Sequence, residues 1–118
     1  MARSALHAVR VMLVSIERAQ EVAAGRTASD YRKDWKFRYA LERALEIVSE
    51  ASRTIPDEVT AEYPLIDWKG VHDIGNVLRH AYDNVSGHLL LGIVQDELPG
   101  LQHALFDIQK KLADDIPK

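Results

Sequence analysis

The stretch FRYALERALEIVSEASRTIP, residues 37–56, decides the fold because its apolar residues recur with the period of an α-helix. The stripe consists of Phe37, Leu41, Ala44, Val48, Ala51 and Ile55. Spacings of four and three alternate without a break, which puts these side chains on one face of a helix. Pro56 should end that helix, since proline cannot continue it. The stretch therefore predicts one long amphipathic helix.

Stripes of the same period occur in three other parts of the chain. They consist of Leu6, Val9, Leu13, Ile16 and Ala23 in a first helix, of Val71, Ile74, Val77, Leu78 and Val85 in a third, and of Val94, Leu98, Leu101, Leu105, Ile108 and Leu112 in a fourth. Four amphipathic helices with short connections predict an all-α fold, an antiparallel up-and-down four-helix bundle. With 118 residues, the chain suffices for a single domain, residues 1–118, with its own core.

Capping residues predict where the first three helices begin and end. Gly25 and the polar residues after it should end the first helix, and Ser29 or Asp30 can cap the next one. Asp67 is the expected N-cap of the third helix, which should run over residues 68–82.

The other connections contain residues that predict a turn, a helix cap and a break in the last helix. The loop after Pro56 can hold a short turn around residues 58–62, and Ser86 can cap the fourth helix. Pro99 and Gly100 lie inside that last helix and should kink it or split it near Asp96.

Composition narrows the class of protein. Hydrophobic residues make up 47% and charged residues 28% of the chain, and the net charge is −3. Binding of RNA or DNA would therefore need a local basic patch. The absence of cysteine favours a reducing compartment. The N-terminal apolar patch lacks the features of a signal peptide, and no run approaches the roughly 18 apolar residues of a membrane span. The sequence thus predicts a cytoplasmic protein without a membrane segment.

The segment GNVLRHAYDNV, residues 75–85, departs from an ordinary amphipathic helix. At about 100° per residue, a group of polar residues clusters within about a third of a turn. The group consists of His72, Asn76, Arg79, His80 and Asp83. A solvated helix face with a surface ion pair between Arg79 and Asp83 is the plainer interpretation. Gly70 and Gly75 favour a functional one, since a helical glycine often marks a close approach to the backbone.

Imidazole and guanidinium groups together suit one chemistry without a metal. A histidine can move protons near neutral pH, and an arginine can hold a phosphate with two parallel hydrogen bonds. They fit cleavage of RNA by its own 2′-hydroxyl, with arginine stabilising the pentavalent phosphorane. A twofold dimer would bring two such groups together.

The segment WKGVHDIGNVLRHAYDNV, followed by a helix with ELPGLQHAL, resembles the HepT-like toxins of the HEPN superfamily. The likeness covers nearly the whole chain. It implies a helical bundle that dimerises through the motif helices, metal-independent RNase activity without a cofactor, and a toxin of a type VII toxin–antitoxin system. It also implies a partner, a minimal nucleotidyltransferase of the MntA type, which serves as antitoxin.

The motif of that family is Arg, four intervening residues, His, any residue and Tyr, often with Asn after the Arg. On this motif, Asn76, His80 and Tyr82 match, and Tyr82 becomes the candidate acceptor of AMP from the antitoxin. The arginine position is occupied by Gly75, and Arg79 is the substitute one turn away.

Two hypotheses follow. The first is an endoribonuclease toxin with His80 as acid–base, Arg79 on the phosphate and Asn76 orienting it. The second is a non-catalytic HEPN module that binds or regulates a nucleotidyltransferase, which Gly75 favours.

Other segments give weaker signals. YRKDWKFRY, residues 31–39, interleaves aromatic with basic residues, a pattern typical either of RNA contact or of a core or dimer seam with solvated cations. Its candidate RNA contacts are Arg32, Lys33, Lys36 and Arg38. Glu42, Glu46 and Glu50 line one helical face, but no Glu-x-x-His and no closely spaced histidine pair occurs, so no metal site is predicted.

Overall fold

The structure, a computed structural model, describes residues 2–80 and 85–116, and helices account for its regular elements. The helices are α1 Ala2–Ala23, α2 Ala28–Lys33, α3 Trp35–Ser52, α4 Asp57–Thr60, α5 Trp68–His80, α6 Gly87–Gly92 and α7 Leu98–Asp114, with a π-helical segment Ile93–Glu97 between α6 and α7. No strand occurs within the described ranges. The predicted all-α bundle is confirmed, and none of these helices is long and apolar enough to cross a membrane.

The core lies where α3 and α7 pack on α1, and the predicted stripes supply it. Fully buried side chains include Val9, Met12, Ile16, Leu41, Leu45, Val48, Leu105 and Ile108. Burying an aliphatic side chain of this size contributes about 1.5–3 kcal/mol. Helix α5 packs mainly on α3, on the outside of this core, so one of its sides stays available for function.

Helix α2 begins earlier than the sequence indicated. Its N-cap is Thr27, whose Oγ1 accepts a hydrogen bond from the amide of Asp30 at 3.2 Å. The carboxylate of Asp30 accepts one from the amide of Thr27 at 2.8 Å. The prediction of Ser29 or Asp30 as the cap was therefore wrong, because Asp30 is the returning member of a capping box. Gly25, with a φ of 71°, lies in the turn that follows α1.

Helix α3 ends at Ser52, three residues before Ile55. The amides of Thr54 and Ile55 donate to the carbonyls of Ala51 and Ser52 at 3.1 and 3.2 Å, which tightens the chain into turns before Pro56. Ile55 is still buried, but from a turn and not from a helix. The prediction of a helix reaching Pro56 was thus too long at this end.

The interruption expected near Asp96 is present as the π-helical segment Ile93–Glu97. Pro99 lies in the first turn of α7, where amide N–H groups have no acceptor within the helix, so its missing N–H costs no helical hydrogen bond. The wider π turn before it lets the stripe continue into α7. Ser86 caps α6 as predicted, with its Oγ accepting from the amide of His88 at 3.1 Å.

Candidate functional site

The start of α5 is fixed by two anchors. The Oδ1 of Asp67 accepts a hydrogen bond from the amide of Gly70 at 3.0 Å, which confirms Asp67 as the N-cap. A Cβ on residue 70 would lie 2.4 Å from the Oδ2 of Asp67, so a side chain there would require the capping carboxylate to shift. The indole N–H of Trp68 donates to the carbonyl of Tyr63 at 3.2 Å. These contacts set the direction in which α5 carries its polar residues.

The middle of α5 touches α3 through hydrogen bonds that centre on one serine. The amide of Gly75 donates to the Oγ of Ser49 at 2.9 Å, and that hydroxyl donates to the carbonyl of His72 at 2.8 Å. Arg53 also donates to the carbonyl of His72, at 3.0 Å. Ser49 is 1% exposed, so these bonds replace water inside the contact.

Gly75 is required by this contact and not by backbone conformation, since its φ is not positive. A Cβ on residue 75 would lie 3.1 Å from the Oγ and 3.5 Å from the Cβ of Ser49. A side chain at this position would therefore require Ser49 or α5 to shift by a few tenths of an ångström. The close approach that the sequence predicted at Gly75 is present, and the approaching group is Ser49.

Arg79 reaches back over Gly75 by one helical turn. Its Nη1 lies 3.2 Å from the position that a Cβ on residue 75 would occupy. A guanidinium on a long stem can cover this distance because residues three and four apart are neighbours on a helix. The cation of Arg79 thus lies beside the backbone position that lacks a side chain.

Asn76, Arg79 and His80 form an exposed surface on the last described turn of α5. Asn76 lies three and four residues before the other two, a spacing that puts Cβ atoms about 5–6 Å apart. The structure therefore brings the three predicted catalytic side chains to one side of the helix end. Tyr82 and Asp83, also singled out by the sequence, lie outside the described residues.

His72 differs from the predicted exposed group. It is half-buried, and its Nε2 is buried with no hydrogen-bond partner among the described residues. Its carbonyl belongs to the contact with Ser49 and Arg53. The prediction that His72 shares the solvated face was wrong, because its backbone lies at the contact with Ser49 and its Nε2 is buried.

A groove of about 450 Å³ opens on the other side of α5, between it and the α6–α7 region. Its lining is largely apolar and includes side chains that no described residue covers fully: Leu65 is 98%, Leu89 50% and Val77 39% exposed. Exposed apolar surface of this kind marks interaction sites on soluble proteins. Val77 belonged to the predicted apolar stripe, so α5 has apolar surface beyond what this chain buries.

The basic and aromatic segment, residues 31–39, divides into two groups. Tyr31 and Phe37 are buried, whereas the rings of Trp35 and Tyr39 are exposed. Arg38 forms an ion pair with Glu42 at 3.0 Å, and the hydroxyl of Tyr31 donates to the same carboxylate. Burial and this bond raise the pKa of Tyr31 well above its ordinary value.

The cations of that segment also form two groups, one packed against the protein and one exposed. Arg38 stacks over the ring of Tyr31 at 5.2 Å, so it braces α2 against α3. Arg32, Lys33 and Lys36 are exposed. Of the four candidate RNA contacts, these three face solvent.

Ser49 and Arg53 are the functional-site residues that sequence reasoning missed. Ser49 follows Val48 of the apolar stripe, and a serine there looks like an ordinary polar neighbour. The signal that could have found it is Gly75, since a helical glycine implies a close partner. The partner's position along another helix does not follow from one sequence.

Residues 12–108 match the family model described as "Ribonuclease HepT-like". A protein of Thermococcus cleftensis named "Probable ribonuclease HepT" is 31% identical over 96 residues, which cover 81% of this chain and 87% of that protein. A protein of Methanocaldococcus jannaschii named "Putative RNase MJ1380" is 38% identical over 66 residues, covering 56% and 61% of the two chains. No solved structure matches.

The contact at Gly75 predicts opposite effects for two glycine replacements. Gly92→Ala, in α6, adds a Cβ with no atom within 4 Å and should raise the free energy of unfolding by roughly 0.5–1 kcal/mol through helix propensity. Gly75→Ala should instead lower it by about 1 kcal/mol or more, because Ser49 is held by hydrogen bonds and cannot yield. Urea unfolding of both variants measures this, and an equal gain in both would contradict the contact.

Proposed function

Because the chain belongs to the HepT-like ribonuclease family, we propose that it is a metal-independent endoribonuclease that cleaves at the exposed end of α5. The observation that carries this is the position of the Arg79 guanidinium, whose Nη1 lies 3.2 Å from the Cβ position of residue 75. The family's motif has arginine at that residue. Arg79 supplies a cation beside it from one turn further on, next to the motif histidine, His80.

The reaction uses the RNA's own 2′-hydroxyl. His80 accepts the proton of that hydroxyl, the oxygen attacks the adjacent phosphorus, and the 5′-oxygen of the next nucleotide leaves with a proton. The products are a 2′,3′-cyclic phosphate and a free 5′-hydroxyl. Arg79 stabilises the charge that develops on the phosphorane, and Asn76 orients the phosphate.

A second copy of the chain completes this site. One imidazole must both take and return a proton, whereas two copies related by a twofold axis provide a base and an acid. The apolar groove beside α5, with Val77 on its edge, supports pairing through this helix. We therefore propose a homodimer in which the two α5 helices lie close together.

The resemblance supports a biological role for this reaction. We propose that the protein is the toxin of a type VII toxin–antitoxin system and acts on cellular RNA in the cytoplasm. Its antitoxin would be a minimal nucleotidyltransferase of the MntA type. That partner would silence the site by attaching AMP to Tyr82, two residues beyond His80.

A second candidate function is a non-catalytic module that binds or regulates the nucleotidyltransferase. Gly75 is the observation that favours it, since the motif arginine is absent and its Cβ would crowd Ser49. The two functions differ in induced expression without the partner, because only a working ribonuclease should arrest growth and fragment RNA.

Replacing the two charged groups should separate their roles. His80→Ala should abolish cleavage of RNA, and Arg79→Ala should cost about 2–4 kcal/mol of transition-state stabilisation. His88→Ala and Arg18→Ala, exposed residues on other helices, serve as matched controls and should cleave like the wild type. The measurement is the cleavage rate of RNA by purified protein. Full activity in His80→Ala would refute the assignment of His80 as the catalytic residue. An inactive wild type would favour the non-catalytic module.

Charge placed in the groove should weaken the dimer and its activity together. Val77→Glu should shift the protein toward monomer, because a carboxylate would be buried between apolar surfaces. Val14→Glu, on α1 and 47% exposed, is the control for an added charge. Sedimentation at micromolar concentration, run beside the cleavage assay, tests this. A dimeric and active Val77→Glu variant would place the interface elsewhere.

Removing one hydroxyl tests the proposed control by the antitoxin. Tyr82→Phe should cleave RNA like the wild type but should not receive AMP from the nucleotidyltransferase and ATP. Mass spectrometry detects the added AMP, and the cleavage rate reports inhibition. Transfer of AMP to Tyr82→Phe would assign the acceptor to another residue.

A further inference from the structure

A pair of exposed aromatic rings lies at the start of α3. Trp35 and Tyr39 are 63% and 64% exposed, with ring centroids 5.7 Å apart and planes at 73°. The Nζ of Lys36 lies 5.8 Å from the centroid of the Trp35 ring, and Arg32 and Lys33 of α2 are also exposed. Tryptophan is highly buried on average. Two large rings left in solvent on one helical turn therefore point to a ligand with flat faces.

The start of α3, which carries these rings, is held in place by its N-cap residue. The carboxylate of Asp34 accepts hydrogen bonds from the amides of Lys36 and Phe37 at 3.1 and 3.2 Å, and it forms an ion pair with Arg26 at 2.7 Å. The Phe37 amide and the Arg26 guanidinium hold the pKa of Asp34 below its ordinary value. Trp35 follows this cap directly, so its backbone position is set before any ligand binds.

Trp35 lies on nearly the same side of α3 as the contact with α5, and Tyr39 lies about 80° around the helix from Ser49. Trp35 and Ser49 are two heptads apart, so their side chains point within about 40° of each other. Ser49 bonds Gly75, while Arg53, further along α3, reaches back to His72. The order of these pairs means that α5 runs antiparallel to α3. The exposed end of α5 is therefore directed toward the rings.

The remaining separation fits a short piece of nucleic acid. At 1.5 Å per residue, His80 lies about 7.5 Å beyond Gly75, whereas Tyr39 and Trp35 lie about 15 and 21 Å from Ser49. The backbone positions of Tyr39 and Trp35 are thus about 7.5 and 13.5 Å beyond that of His80 along the axis of α3. Two to four nucleotides cover such a distance at about 3.4 Å per stacked nucleotide.

We propose that Trp35 and Tyr39, with Lys36 beside them, form a stacking platform for unpaired RNA and hold the strand that enters the site at His80. The inference rests on the proposed function and names its substrate class, single-stranded RNA. Base stacking on aromatic side chains tolerates any sequence but requires unpaired bases. Residues 32–38 carry four cationic side chains and one carboxylate, in a chain whose net charge is −3. Arg38 is paired with Glu42, and Arg32, Lys33 and Lys36 are the cations exposed to solvent. That charge favours a phosphate backbone over an apolar protein surface.

Binding is measured on a His80→Ala chain so that RNA is not consumed. The probe is a fluorescein-labelled 12-nucleotide oligouridine, and a duplex RNA of equal length is its comparison. Trp35→Ala in this background should bind the single strand roughly 5- to 100-fold more weakly, and Tyr39→Ala should also weaken it. Phe106→Ala, which removes a 55% exposed ring from α7, is the matched control and should bind normally.

The ionic part of the platform has its own control. Lys36→Gln should reduce the dependence of affinity on salt, and Lys110→Gln, an exposed lysine of α7, should not. In a Trp68→Phe chain, Trp35 is the only tryptophan left, and stacking by uracil should quench its emission. The duplex should leave that emission unchanged.

The outcomes separate the platform from the proposed function. The platform is overturned if Trp35→Ala binds the single-stranded RNA as tightly as the chain with Trp35. It is also overturned if the chain binds duplex and single-stranded RNA equally well. A Trp35→Ala variant that keeps RNA affinity but becomes monomeric in sedimentation overturns it in favour of a protein interface. A wild type that binds oligouridine through Trp35 but cleaves no RNA leaves the platform standing and refutes the ribonuclease. A wild type that cleaves RNA, together with a Trp35→Ala variant whose RNA affinity is unchanged, supports the ribonuclease and overturns the platform.

Discussion

The contact between Ser49 and Gly75 is the constraint on which the position of the site depends. One buried hydroxyl accepts from the amide of α5 and donates to a carbonyl one turn earlier, so it fixes the distance, rotation and register of α5 on α3. A hydrogen bond of this kind contributes about 1 kcal/mol, but leaving either buried partner unsatisfied costs about 1–3 kcal/mol. Within the described residues α5 packs mainly on α3, with Leu78 in the core and Trp68, Val71 and Ile74 against it, so this contact and that packing together set where its polar end lies.

The same contact connects the fold to the departure from the family's motif. A Cβ at position 75 would lie 3.1 Å from the hydroxyl of Ser49, so Ser49 or α5 would have to shift by a few tenths of an ångström. Close packing of α3 and α5 therefore disfavours a side chain at residue 75. Glycine gives the close packing, and the Nη1 of Arg79 lies 3.2 Å from the Cβ position that this glycine leaves empty.

The sequence predicted the elements that depend on local periodicity and missed those that depend on tertiary contact. The alternating stripe from Val94 to Leu112 is buried throughout α7, and the interruption before Pro99 follows from proline's missing amide. The start of α2 was misplaced because Thr27 and Asp30 both suit a cap and only the reciprocal pair decides between them. Asn76, Arg79 and His80 share a face by spacing alone, but Ser49 could not be identified without knowing which helix meets Gly75.

The surface around the site has a polar part and an apolar part, which lie on different sides of α5. The last turn of α5 presents an imidazole, a guanidinium and an amide, while the groove on its other side presents Val77 and Leu89. Water competes with hydrogen bonds at the first surface and drives association at the second. A partner seated in the groove would remove apolar area and lower the dielectric beside the charged groups. If a second copy bound there, water would leave the apolar groove, and the interactions of Arg79 and His80 on the other side of α5 would be strengthened only where that copy also covered them.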